Sequence, residues 1–197
     1  MFSNKKVVVF DFDGTLTRKD TLFEFIKYSC GTLSLLWGIL LCSPIVIATL
    51  IGLYPRGKAK ERLFSHFFKG CDYGRFAMLG KQFVEVVRKM ERKDIVSVLE
   101  NHIESKDIVY IISASIEEWI LPWSNSIGKI KVLSTKIEID HNGFLTGRFL
   151  TKNCSGYEKI NRLLKVEPDR DNYLLYAYGN GRGDKEMIDF ADYGCWV

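Results

Sequence analysis

Asp11 and Asp13 stand two residues apart at the end of an unbroken apolar run, Val7-Val8-Val9-Phe10, and are followed at once by Gly14-Thr15-Leu16-Thr17. Two carboxylates brought to one centre can divide a substitution reaction, one attacking while the other moves protons, and their oxygens also suit a hard metal ion. Alternation along extended chain sends them to opposite faces, so Gly14, free to turn the backbone, is what lets them converge. By itself, an Asp-x-Asp of this kind is more often a solvated acidic turn. Three further segments change that weighting.

The first is the apolar run 108–112, which ends in Ser113-Ala114-Ser115; from Ser115 to Glu118 the chain has the Ser-x-x-Glu form of a helix capping box. Free N–H groups at such a helix start favour an anion. The second, Asn153-Cys154-Ser155-Gly156-Tyr157-Glu158-Lys159-Ile160, repeats the Ser-x-x-Glu form and puts Lys159 in a first helical turn, where the macrodipole disfavours a cation unless an anion is near. Lys152 competes with it one loop earlier. The third follows the run 173–177 and reads Tyr178-Gly179-Asn180-Gly181-Arg182-Gly183-Asp184, a glycine-rich turn ending at a helix that carries Met187, Ile188 and Phe190.

What positions these residues is a sheet. Runs rich in Val and Ile without polar alternation read as strands buried on both faces, the mark of parallel α/β sheets, whose ligands sit beyond the C-terminal strand ends. Each candidate lies after such a strand or at a helix start. Taken in order, the four segments resemble the motifs of the haloacid dehalogenase superfamily, from Asp-x-Asp-x-Thr at Asp11 through Ser113 and Lys159 to an acidic loop at Asp184, and the likeness spans the chain from Lys5 onward. It implies a Rossmann-like α/β core with an inserted α-helical cap. It also implies roles: Asp11 as nucleophile forming an aspartyl-phosphate, Asp13 as general acid/base, Lys159 as the cation balancing nucleophile and phosphoryl group. Ser113, Ala114, Gly14 and Asp20 would face the substrate, and Asp11, Asp13, Asn180 and Asp184 would hold Mg²⁺. The second Asp of the first motif resembles the mark of phosphatases and phosphotransferases. One departure stands out, because the fourth motif normally begins with an acid where this chain has Asn180, which costs the metal site one formal charge.

At 197 residues and 47% hydrophobic, the chain can bury a full core and still carry an insertion. A net charge of +4 without a basic stripe interleaved with aromatics argues against nucleic acid. The five cysteines, Cys30, Cys42, Cys71, Cys154 and Cys195, are scattered and odd in number, as expected of reduced thiols in a cytoplasmic protein. His66, His102 and His141 stand apart from the motifs, which argues against zinc, and no signal peptide is expected before the first strand.

A hundred residues separate Asp13 from Ser113, far more than a crossover needs. We therefore expect a core of residues 1–20 and 105–197 and a helical cap of 21–104. Within the cap, Phe76, Leu79, Phe83, Val86 and Met90 recur at helical spacing behind Asp72 as N-cap, as do Ile95, Val98, Leu99 and Ile103 behind Asp94. Residues 137–145 read as a β-hairpin turning at Asn142-Gly143. The cap's unusual part is 31–54, twenty-four residues without a charge, broken at Ser43-Pro44 and followed by Arg56, Lys58, Lys60 and Arg62. One membrane crossing would divide Asp11 and Asp13 from Ser113, Lys159 and Asp184, and the proline suggests two short pieces. An apolar hairpin is expected, either buried in the cap or a dimer interface or dipping into one leaflet with the basic residues on anionic lipid.

The expected function is Mg²⁺-dependent hydrolysis of a phosphomonoester. The substrate is either a membrane lipid phosphate, since the apolar cap segment and the Lys159 motif resemble the phosphatidylglycerophosphatase type, or a soluble molecule as in the phosphoserine phosphatase-like branch. In that branch a glutamate thought to face the substrate amine corresponds to Asp20. The place expected is the cytoplasm or the inner face of a membrane. A phospho-accepting signalling domain and a non-catalytic relative are the rivals; the large insertion and Asp13 count against the first, and Asn180 is what favours the second.

Overall fold

The computed structural model describes residues 5–197. In chain order it runs β1 (Lys6–Phe10), α1 (Thr21–Cys30), α2 (Thr32–Leu50), α3 (Arg56–Phe68), α4 (Tyr73–Lys89), α5 (Lys93–Glu104), β2 (Ile108–Ile116) and α6 (Glu117–Ile127). It continues through β3 (Ile130–Thr135), β4 (Ile137–Ile139), β5 (Leu145–Phe149), α7 (Tyr157–Val166), β6 (Leu174–Gly179), α8 (Lys185–Phe190) and β7 (Tyr193–Trp196). Five strands form one parallel sheet in the order β3-β2-β1-β6-β7, the α/β class expected.

β1 is central, and its Val7 and Val9 pack with Leu163, Leu175 and Met187 on one face while Val8 and Phe10 join Val109, Ile111 and Trp123 on the other. Burial on both faces is why these strands show no polar alternation. β4 and β5 form a separate antiparallel hairpin, whose turn is held by Asp140 accepting from the backbone N–H of Asn142 and Phe144 and by Gly143 at φ +85°. It lies against α3.

The five helices α1 to α5 fill the chain between β1 and β2. Phe25, Phe64, Phe68, Phe76 and Phe83 meet Trp119 of α6 in an aromatic cluster, Phe25 stacking on Trp119 at 4.6 Å between ring centroids. Asp72 caps α4 as expected, accepting from the N–H of Arg75 at 2.8 Å. α5 starts one residue before Asp94, with Arg92 at its N-cap, and packs on β2.

The apolar hairpin expected at 31–54 is not formed. Its residues build one continuous helix, α2, with Pro44 inside, and the helical hairpin is instead made by α2 with the basic α3, where Gly38 lies against Phe67 and His66. A proline inside a helix removes one backbone hydrogen bond, here the one to the carbonyl of Leu40, itself an exposed residue, and α2 continues through it. Among the residues of α2 only Gly38 and Cys42 are buried.

Candidate active site

At the C-terminal end of β1, Asp11 is buried and its Oδ1 accepts from the Lys159 ammonium at 2.7 Å. The same ammonium donates to Asp184 Oδ1 at 2.5 Å, so one cation from α7 ties the loops after β1 and β6 together. Burial pushes the Asp11 carboxyl up and the Asp184 charge adds to the rise, while Lys159 opposes it. For Lys159 burial pulls the other way, but the two carboxylates more than offset it and keep the ammonium charged. Asp184 Oδ2 accepts from the backbone N–H of Gly181 at 2.9 Å and of Asn180 at 3.1 Å, which fixes the glycine-rich loop.

Asp13 is held differently. Its Oδ1 accepts from the backbone N–H of Thr21 at 2.9 Å and from the Thr21 hydroxyl at 2.7 Å, and that hydroxyl also meets Ser115 Oγ and the indole N–H of Trp119. Burial raises Asp13 to about 7, with the Asp20 charge adding and the Lys60 ammonium opposing. A carboxyl tuned near neutrality can both give and take a proton. Lys60 approaches Asp13 Oδ2 at 3.9 Å from α3, and only 16% of its side chain is exposed.

Gly14 has φ +82°, and a Cβ there would stand 2.1 Å from the Asn180 amide, so glycine is required for the first and fourth motif segments to meet. Asn180 Oδ1 faces the Thr15 hydroxyl at 3.5 Å. Ser113 is buried and its Oγ accepts from the N–H of Ser115; the Ala114 carbonyl accepts from Thr135. Asp20, expected at the substrate, is exposed and caps α1 through the N–H groups of Leu22 and Phe23.

Two expected capping boxes do not form. α6 begins after Ile116, and Ser115 spends its hydroxyl on Thr21 and Trp119; α7 begins after Gly156, which sits at φ +62° and donates its N–H to the Gly183 carbonyl. Lys159 is nonetheless in the first turn of α7. The basic residues placed together on lipid in the sequence are also divided, since Lys60 turns inward to Asp13. Helical period separates Arg56 and Lys60 from Lys58 and Arg62, the one signal that could have found it. Nothing local marks Thr21, or Arg92, whose guanidinium reaches the Gly14 carbonyl at 3.4 Å.

Among the described residues no three His, Cys, Asp or Glu side chains form a metal cage. The donors here are Asp11, Asp184 and the Asn180 amide, all oxygen, and this fits Mg²⁺, which takes one or two carboxylates and keeps much of its water.

The sequence matches the model of the haloacid dehalogenase-like hydrolases over residues 8–189. The chain belongs to that family. Protein CicA of Caulobacter vibrioides is 31% identical over 187 residues, covering 94% of this chain and 83% of that protein. Of solved structures with this hydrolase fold, a Bordetella pertussis protein of unknown function superposes with TM-score 0.82 at 16% identity, over 96% of this chain and 88% of its own. A phosphoserine phosphatase carrying a phospho-aspartyl intermediate analogue gives TM-score 0.64 at 18% identity, over 95% and 83%. At such identities the likeness is one of fold.

Proposed function

We propose that this hydrolase is a Mg²⁺-dependent phosphomonoester phosphatase working through an aspartyl-phosphate, with Asp11, Asp13 and Lys159 as its catalytic groups. The observation that carries the reading is the pair of buried contacts from Lys159 to Asp11 and Asp184, a cation placed between two carboxylates at the end of the central strand. Asp11 attacks phosphorus and the bond to the leaving oxygen breaks, that oxygen taking the proton from Asp13. Water then attacks the same phosphorus, giving its proton back to Asp13 as the bond to Asp11 breaks and phosphate departs. Ser113, Ala114 and Gly14 line the phosphoryl position in this reading, and Lys159 offsets charge on the phosphoryl oxygens throughout. Mg²⁺ would be held by Asp11, Asp13, Asn180 and Asp184 and would supply further stabilisation of that charge.

Residues 1–20 and 105–197 act as core and 21–104 as cap in this reading; residues 1–4 lie outside the described ones. Through Lys60 the cap brings a cation beside the acid, suited to an anionic substrate.

A lipid phosphate, met at the cytoplasmic face of a membrane, is favoured over a soluble phosphoserine-like substrate by one observation, the exposed apolar surface of α2. Turnover of purified protein should be measured on a panel of phosphoamino acids and phospholipid phosphates, with and without detergent and Mg²⁺. Acid-quenched protein should carry a phosphoryl adduct on Asp11 by mass spectrometry. Absence of turnover on every phosphomonoester would leave a non-catalytic relative as the better description.

A further inference from the structure

Lys58 and Arg62 leave α3 on a different side from Lys60, and there they meet the β4–β5 hairpin. Together with Lys69, Arg148, Tyr54 and Glu61 they line a cleft of about 320 Å³. The only carboxylate in it is already committed, because Glu61 Oε1 pairs with Lys58 at 3.2 Å and Oε2 accepts the N–H of Phe149 at 3.2 Å. Arg62, Lys69 and Arg148 have no ion pair among the described residues. Glu138 and Asp140 line the adjoining cleft with Lys69 and Arg148, but within this one Glu61 is the single acid against four cations, and a ligand with several anionic oxygens balances that excess. The wall is closely fitted: Gly147 holds φ +82°, and a Cβ there would come within 2.5 Å of Ser65 Oγ, so only glycine lets the hairpin approach α3 this closely.

The cleft does not stand alone. Arg62 and Ser65 are shared with a groove between α2 and α3, about 280 Å³, in which Leu41, Cys42 and Ile45 form the apolar α2 wall and His66 completes the polar α3 wall. Leu53 is 78% and Leu150 65% exposed nearby in the chain, so aliphatic surface adjoins the cations. Cationic and aliphatic surface in direct continuity fits an amphiphile with an anionic head.

We propose that this cleft docks an anionic phospholipid of a bilayer, the headgroup on Arg62, Lys69, Arg148 and Lys58 and an acyl chain along the α2–α3 groove. The proposal rests on the membrane reading of α2 given above and extends it from a helix to a headgroup site. Charge complementarity selects the lipid, and the circumference of α2 selects a bilayer over a second copy of the chain, since that helix is apolar all round where a dimer seam needs one stripe. α2 runs antiparallel to α3, whose charged turns cannot follow it through a bilayer, so α2 enters one leaflet while α3 stays at the headgroups.

The test is flotation of the full chain with vesicles of phosphatidylcholine alone and of phosphatidylcholine mixed with phosphatidylserine, at low salt. Wild type should float with the mixed vesicles only weakly matched by the neutral ones. The variant Arg62→Gln, Lys69→Gln, Arg148→Gln should bind the mixed vesicles roughly a hundredfold more weakly, while Lys81→Gln, Arg88→Gln, Lys89→Gln on α4 removes the same charge and should change binding by less than about twofold. Thermal melting and hydrolysis of a soluble aryl phosphate without vesicles should be the same for all three proteins. Equal loss in both variants means diffuse attraction and overturns the site, as does wild type that fails to float. Release of the protein from vesicles by inorganic phosphate at equal charge screening would assign the cleft to a free anion and overturn the lipid. A protein that floats as expected but hydrolyses nothing refutes the phosphatase reading and leaves this one standing.

Discussion

In the pocket at the end of β1, Asp11, Lys159 and Asp184 are charges taken out of water, while on α2 eight large apolar side chains, from Leu33 to Leu50, are left in it. Each region reverses the usual distribution, and each is a cost to folding. Charge leaves water only when paired, and here the pairing is good enough to keep all three residues in place. Apolar surface of this extent on a soluble monomer is rare and marks a surface that meets something else. The difference lies in where the compensation comes from. The pocket finds it inside the chain, whereas α2 must find it outside.

The contrast can be broken most severely at the nucleophile. Asp11→Asn is nearly isosteric and should keep the fold while lowering turnover at least about a hundredfold; residual activity above that level removes Asp11 from the role. Lys159→Met takes away the compensation within the pocket and strands two carboxylates, so denaturant unfolding near neutral pH should show a loss of about 3 kcal/mol. A variant as stable as wild type would mean that the triad is not the paired unit described. The reverse holds on α2, where Leu36→Gln, Leu40→Gln and Ile47→Gln alter exposed positions. Their melting temperature should stay unchanged, and vesicle binding should be lost; a large drop in stability would show that α2 is buried in solution, as in a dimer.

Glu118 sharpens the comparison on a smaller scale. Its Oε2 is buried without a hydrogen-bond partner among the described residues, where Gly80 of α4 closely approaches the Glu118 carbonyl, and burial raises its carboxyl to about 7 from an ordinary 4.5. The folded state therefore holds the proton more tightly than the unfolded, so this stability is complete below pH 4.5 and is lost as pH rises through 7. Glu118→Gln should be more stable than wild type by roughly 2 kcal/mol above about pH 8 and indistinguishable near about pH 4. The smallest effect is at the metal donors, where Asn180→Asp restores an anionic oxygen and should lower the Mg²⁺ needed for half-maximal activity several-fold. A requirement that is unchanged or raised would mean the amide already serves as well.

The parts of the site that could be read in the sequence are those fixed by a single strand end. Asp11, Ser113 and Asp184 follow apolar runs whose burial on both faces is written in their composition, and the parallel sheet follows from the same runs. What could not be read depends on distant chain. Whether the run 31–54 is covered or bare leaves no mark on the run itself, and Pro44 looks like a break although α2 continues through it. Both Ser-x-x-Glu boxes failed because Ser115 had a better partner in Thr21, ninety-four residues away, and because Gly156 opens α7 in a conformation serine does not favour. Lys60 and Thr21 act on Asp13 only once the cap is folded over it.

The central position of β1 has a consequence for the order in which the molecule comes into being. Val7 pairs with Ile108 on one side and with Leu175 on the other, so the first strand made waits for most of the chain before either neighbour exists. Lys159 reaches Asp11 across 148 residues. The α1–α2 and α2–α3 contacts are local and form early, whereas α3 and α4 wait for β5 and α6, so α2 is displayed while the sheet is still open. A nascent chain stalled before β6 is thus at its most adhesive and wholly inert, and recovered hydrolysis reports the last stage of assembly.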